Sequence, residues 1–147
     1  PGPSEDLIGQ PFTGPAGHEL NRWIREAARL CERWDSLRTC FTNLVCCIPR
    51  GDDGEKFQEP PDESVRACAP RLVELVELAQ PRLLITVGKL ATDWLDPTWT
   101  KGVKLKREVP QVSIIHPAAV LRANEAVKGM MARRVIVTLA SAARGVE

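Results

Sequence analysis

The stretch "RLLITVGKLATDWL" (residues 82–95) decides the fold class, because an apolar run passes through a glycine directly into a helical pattern. Residues 82–88 are short, apolar and β-branched, which predicts a buried strand. Residues 89–95 predict a short helix. An apolar strand followed at once by a helix is typical of a parallel sheet whose two faces are both covered.

Two further apolar runs fit the same sheet: "TCFTNLVCCI" (39–48) and "VSIIHP" (112–117). Helical periodicity predicts helices over 17–37, 62–80 and 123–144. Polar residues 49–61 and basic residues 96–111 predict loops. Right-handed crossovers would then give an α/β/α sandwich of three layers around a central parallel sheet. We expect about four strands, the first of which precedes residue 1.

Length and composition predict a single domain over residues 1–147 that is incomplete at its N-terminus. The 147 residues carry a net charge of +1, so attraction to nucleic acid must come from local basic clusters. The five cysteines are an odd number without an export signal, which argues against a disulfide framework and leaves core thiols or metal ligands. No apolar run reaches about 18 residues, so we expect a cytoplasmic protein without membrane contact.

Three chemically different side chains are expected at the edge of the sheet where the parallel strands end. Ligands bind at the carboxyl ends of parallel strands. Asn43 lies in one apolar run, His116 ends another, and the loop that carries Phe12 would follow the first strand. Each residue also has a purely structural interpretation: Phe12 as a loop anchor, Asn43 as a partner of nearby backbone, and His116 as a strand terminus.

At these residues the sequence resembles the uracil-DNA glycosylase superfamily, above all its iron–sulfur family 4. "EDLIGQPFTGPAG" (5–17) is similar to that family's EDxxGxPFVGPAG, and "TNLVCC" (42–47) to TNVVKC. "ACAPRL" (67–72) is similar to ACRPxL, and "HPAAVLR" (116–122) to HPSALLR. The match covers almost the whole chain and holds the four motifs in the family's order.

The resemblance implies a role for each matching residue. Phe12 would stack on an extruded uracil, Asn43 would read the edge of the base, and His116 would act as a catalytic residue near uracil O2. Glu5 would be an acidic residue at the rim of the pocket, catalytic if it positions water. It could instead form the wall that excludes the methyl group of thymine, or be a solvated loop acid.

The resemblance also implies a DNA-facing loop and two metal ligands. Val120 and Leu121 would wedge into the duplex and Arg122 would hold a phosphate, although ordinary packing at a helix start explains the apolar pair equally. Cys47 and Cys68 would hold a 4Fe–4S cluster if residues outside the given sequence supply two more cysteines, and otherwise no cofactor is expected. Ala118 departs from the family, since it replaces a serine.

Two classes of function therefore stand. The first is an enzyme, a monofunctional DNA glycosylase that hydrolyses the N-glycosidic bond of uracil during base excision repair and leaves an abasic site. The second is a module of the same fold that binds or senses uracil-containing DNA, within a larger assembly, without catalysis. In both cases the partner is DNA, single- or double-stranded, and the protein is expected to be a monomer. An altered base specificity is a third hypothesis.

Overall fold

The structure is a computed structural model that describes residues 2–48 and 59–146. Its elements, in chain order, are α1 (Pro3–Ile8), α2 (Pro15–Arg29), a 3₁₀ turn (Glu32–Ser36), α3 (Asp62–Ala79), β1 (Leu84–Val87), α4 (Lys89–Leu95), β2 (Gln111–Ile114), α5 (Pro117–Arg122) and α6 (Glu125–Arg144). No helix in the described ranges has the length and apolar content needed to cross a membrane.

The sheet of the described residues consists of β1 and β2, which pair in parallel. Leu84 lies opposite Gln111 and Val87 lies opposite Ile114. Because the strands are parallel, both carboxyl ends lie at the same edge, where β1 passes into Gly88 and α4 and β2 passes into α5. The second edge of β1 is left without a strand partner within the described residues.

The helices cover both faces of the sheet, because side chains along a strand alternate between faces. Ile85 and Val87 pack against the core cluster that contains residues of α2 and α6. Leu84 packs against the cluster formed by Leu72 and Val76 of α3. This arrangement confirms the predicted α/β/α class with its parallel sheet.

Helices α2 and α6, which cover the same face of the sheet, each bury one stripe of residues. In α2 the buried residues recur at helical spacing, with Leu20, Trp23 and Ala27 at or below 2% exposure. In α6 the buried stripe runs from Ala132 through Leu139 to Ala143. Burial of these faces stabilises both helices, since apolar area removed from water contributes about 25 cal/mol per Å².

One predicted strand is wrong and one predicted helix is too long. Residues 39–48 form neither helix nor strand, because a strand needs a ladder partner and the free edge of β1 does not pair with them. The helix predicted over 17–37 ends at Arg29 and is followed by the 3₁₀ turn. The predicted helices 62–80, 89–95 and 123–144 agree with α3, α4 and α6 within two residues. The loop predicted over 49–61 lies mostly outside the described residues.

Candidate functional site

A large cavity opens at the carboxyl ends of the strands. Its volume is about 1520 Å³, and its lining includes Phe12, Asn43, Gly88 and His116. Pockets for small ligands are typically about 300–1,000 Å³, so this cavity is larger than one such site. It also extends along the whole of β1, since all four residues of that strand, Leu84–Val87, line it. The three side chains predicted to converge therefore do share one cavity.

His116 is held in a defined orientation at the start of α5. It is the N-cap of that helix, and its Nδ1 accepts a hydrogen bond of 3.2 Å from the backbone N–H of Ala118. An imidazole nitrogen that accepts carries no proton, so the remaining proton of the neutral ring is on Nε2. Desolvation by surrounding atoms lowers the pKa of His116, and the charge of Arg122 lowers it further. The neutral ring with an Nε2–H donor is therefore the favoured form.

Gly88 makes room for this imidazole. Its φ angle is 90°, in the region that favours glycine. A Cβ added at position 88 would lie 3.0 Å from Cβ of His116 and 3.3 Å from its Cδ2. The end of β1 therefore packs directly against the ring, and a side chain at position 88 would displace it.

Phe12 occupies a strained backbone position beside a second aromatic ring. Its φ angle is 57°, which is uncommon for a residue other than glycine. Its ring centroid lies 5.5 Å from that of Phe41, with an angle of 57° between the planes. Strained residues cluster at functional sites, where the surrounding structure holds them. Phe12 is half-buried, so part of its side chain remains accessible.

Asn43 is half-buried in the segment that lacks regular secondary structure. Arg71 of α3 reaches this segment. Its Nη2 donates to the Asn43 carbonyl oxygen at 2.6 Å, and its Nη1 donates to Thr42 Oγ1 at 3.0 Å. The backbone of Asn43 is thus attached to a helix from which it is separated by 28 positions in sequence.

Both carboxylate oxygens of Glu5, in α1, accept hydrogen bonds from backbone N–H groups at the starts of α1 and α2. Oε2 accepts from the Gly2 N–H at 3.0 Å and Oε1 accepts from the Gly14 N–H at 2.8 Å. Burial raises the pKa of the Glu5 carboxyl, but these backbone hydrogen bonds outweigh it and hold the pKa below 4.5. The ionised carboxylate therefore ties α1 to the residue that begins α2. Its contribution to stability is present above pH 4.5 and is lost as the pH falls through the lowered pKa.

Helix α5 divides the apolar pair that was predicted to face DNA. Val120 is 2% exposed and belongs to the core cluster, whereas Leu121 is 39% exposed. The helical turn from Pro117 places residue 120 on the inward side and residue 121 on the outward side. The expectation that Val120 reaches DNA disagrees with this burial. Leu121 and the exposed Arg122 do face solvent.

The cysteines predicted as metal ligands do not form a metal site on their own. Cys47 is exposed and Cys68 is half-buried. No group of three or more His, Cys, Asp or Glu side chains suited to a metal occurs within residues 2–48 and 59–146. Two thiolates are short of the four that such a cluster requires. The described residues therefore do not by themselves fit a 4Fe–4S cluster.

Two residues at the site were missed by sequence reasoning. Phe41 stands two positions before Asn43, a spacing that puts both side chains on one side of an extended segment, so the sequence could have indicated that Phe41 lies near the site. The sequence gives no such indication for Arg71, because its contact with residues 42 and 43 arises from the packing of α3.

The fold and the cavity together define an α/β protein with a large cavity at the carboxyl ends of parallel strands. The family model of the uracil DNA glycosylase superfamily matches residues 1–140. The chain therefore belongs to the uracil DNA glycosylase superfamily, and its similarity is to type-4 members.

Three relatives illustrate the similarity, and all are named type-4 uracil-DNA glycosylases. That of Saccharolobus solfataricus is 37% identical over 95 residues, which are 65% of this chain and 40% of the relative. That of Archaeoglobus fulgidus is 30% identical over 135 residues, 82% of this chain and 63% of the relative. That of Pyrobaculum aerophilum is 31% identical over 136 residues, which cover 83% of this chain and 64% of the relative. The matches thus span less than two thirds of each relative's length.

Proposed function

We propose that this protein is a monofunctional uracil-DNA glycosylase, which hydrolyses the bond between uracil and deoxyribose in DNA and leaves an abasic site for base excision repair. The observation that carries the proposal is the shared cavity of Phe12, Asn43 and His116, with the tautomer of His116 fixed by the Ala118 N–H. The names of the type-4 relatives support the same activity. We place the protein in the cytoplasm and expect a monomer.

Phe12 supplies the surface for the extruded base. Uracil within a duplex cannot be reached, so it must be flipped out at a cost of a few kcal/mol. Stacking on an aromatic ring returns roughly 1–3 kcal/mol per base. The contact between Phe12 and Phe41 supports the ring from one side. Phe12 then needs no further ordering when the base arrives.

Asn43 recognises the edge of uracil. A carboxamide offers an acceptor oxygen and a donor nitrogen, which match uracil N3–H and O4. With the amide held in this orientation, cytosine, which presents an acceptor at N3 and a donor at N4, would leave polar groups of the site unpaired. A site built on hydrogen bonds rejects such a mismatch strongly.

His116 stabilises the leaving base. Cleavage of the N-glycosidic bond places negative charge on uracil O2, and a preorganised donor stabilises that charge in the transition state. The Nε2–H of the neutral ring is the donor that the hydrogen bond to Nδ1 leaves available. Glu5, at the rim, keeps the loop of Phe12 in place through its bonds to Gly2 and Gly14.

The exposed end of α5 contacts the DNA. Leu121 fills the space left by the flipped base, as apolar wedges do, and Arg122 binds a phosphate. Cys47 and Cys68 are two of the four ligands of a 4Fe–4S cluster if the full-length protein supplies two more cysteines. The substrate is uracil in single- or double-stranded DNA.

The test is an assay of uracil release from single- and double-stranded DNA by the full-length protein. We expect release by the wild type and a loss of roughly 10²–10³-fold in His116→Ala, the range for removal of one such donor. His18, the second of the two histidines, is exposed on α2, and His18→Ala is the matched control with wild-type activity. No release by the wild type would overturn the proposal.

A second function is favoured by one observation. Both oxygens of Glu5 accept backbone hydrogen bonds, so this carboxylate organises its loop. A glycosylase-fold module that binds uracil-containing DNA without cleaving it needs no carboxylate that activates water. Tight binding of uracil-containing DNA combined with absence of release would support this function.

A further inference from the structure

The segment that carries Asn43 lacks the support that a strand would give. Residues 39–48 contain neither helix nor strand. No hydrogen bond between backbones joins them to another part of the described chain. Leu44 and Val45 pack into the core, but apolar contacts are not directional. The orientation of the Asn43 backbone must therefore come from another interaction.

Arg71 provides that interaction. It lies in the third turn of α3, between the half-buried Cys68 and the buried Leu72. Two nitrogens of its guanidinium bond to adjacent residues of the segment, at 3.0 Å to Thr42 Oγ1 and 2.6 Å to the Asn43 carbonyl. Hydrogen bonds with an ionised donor are roughly twice as strong as neutral ones.

The rest of the Arg71 side chain agrees with this role. Its Nε is buried and has no hydrogen-bond partner within the described residues. Leaving a buried donor unpaired is costly. The position of the guanidinium is thus set by its two bonds to residues 42 and 43, at the expense of the third nitrogen.

We propose that Arg71 is the positioning residue for Asn43, so that it determines how accurately the carboxamide meets the edge of the base. The proposal rests on the proposed function in its catalytic consequence, although the contact itself does not. By holding the carbonyl of residue 43, Arg71 limits rotation of that residue's backbone and hence the direction of its side chain. Lysine cannot substitute fully, because a single ammonium lacks the planar fork that spans both acceptors.

The first test is a double-mutant cycle on uracil release, with Arg71→Met, Asn43→Ala and the double variant. A small misplacement of a binding group costs up to about 10²-fold in rate, so we expect Arg71→Met to lower kcat roughly 10- to 100-fold. KM for DNA should stay unchanged, since Leu121 and Arg122 are untouched. Arg71→Lys should restore part of the loss.

The cycle separates positioning from general damage. If Arg71 acts through Asn43, the double variant is no slower than Asn43→Ala alone. Additive losses, or wild-type activity in Arg71→Met, would overturn the proposal. Arg66→Met is the matched control: Arg66 is an exposed arginine of the same helix that lies over the Trp94 ring at 5.4 Å, and its loss should leave kcat unchanged.

The second test does not depend on catalysis. Backbone order parameters from ¹⁵N relaxation should fall at residues 42–44 in Arg71→Met, relative to Arg66→Met, while those of α6 stay unchanged. Unchanged order parameters at residues 42–44 would overturn the proposal. If the wild type releases no uracil, the proposed function has failed, and this measurement still decides whether Arg71 holds Asn43.

Discussion

His116 shows how one hydrogen bond selects a chemical form. The Ala118 N–H occupies Nδ1, and desolvation by surrounding atoms lowers the pKa of the ring, with a smaller contribution from Arg122. Because the lowered pKa disfavours the charged form, the neutral ring is favoured at pH 7. Stability that depends on this neutral form is present at higher pH and decreases as the pH falls below 6.5 and the ring is forced to protonate.

A titration of His116 followed by NMR tests this state. We expect a pKa below 6.5 and the nitrogen shifts of a ring protonated on Nε2. Arg122→Met should reverse only part of the pKa shift, since desolvation is the larger cause and remains. Uracil release should not decline between pH 6.5 and 8, because the Nε2 proton is retained. A ring protonated on Nδ1, or a pKa above 6.5, would contradict the assignment.

Between elements, the loop of Phe12 and the first turn of α2 are in direct contact. Gly17 is buried, and a Cβ at that position would lie 1.8 Å from the Phe12 carbonyl oxygen. No side chain fits at that distance, so the helix can approach the loop only with glycine here. The close approach of α2 to Phe12, whose φ angle is unusual, therefore depends on glycine at position 17.

Gly17→Ala should displace Phe12. We expect a loss of more than about 1 kcal/mol in the free energy of unfolding, since the native conformation does not accommodate the added group. Urea denaturation measures this loss, and the uracil-release assay should show reduced activity. In Gly129→Ala, the control in α6, the added Cβ meets no heavy atom within 4 Å. It should leave activity intact and gain up to about 1 kcal/mol of helix stability. Equal stability of the two variants would contradict this account.

For the whole molecule, the net charge of +1 means that no global field attracts DNA. On the proposed function, affinity for phosphate would therefore depend on local cations. Arg122 is such a cation, since it lines the cavity and is exposed at the end of α5. The number of phosphates neutralised is reported by the dependence of affinity on salt.

Binding of DNA measured at several salt concentrations tests this count. Loss of one phosphate contact in Arg122→Met should make the slope of log K against log salt less negative by about 1. Arg133→Met, at an exposed position of α6, removes the same charge and should leave the slope unchanged. Equal effects of the two variants would show that total charge, rather than the position of Arg122, governs binding.

The sequence predicted what depends on local periodicity. Helices α3, α4 and α6 and strands β1 and β2 follow from runs whose apolar spacing is regular. It failed at residues 39–48, because apolar β-branched composition does not supply a ladder partner. The motif resemblance selected Phe12, Asn43 and His116, which share the cavity. Only the structure could separate buried Val120 from exposed Leu121, or find Arg71, since both depend on how helices pack.

Helix α5 fixes the distance between two parts of the proposed site. It carries His116 at its start and Leu121 and Arg122 at its end, and it is only six residues long. At 1.5 Å per residue the helix spans about 9 Å, and its buried Pro117 and Val120 fix it against the core. On the proposed function, the probe that tests the stack and the donor that activates the leaving base cannot advance separately. On that function, insertion of Leu121 into the duplex brings His116 to the flipped base in the same step.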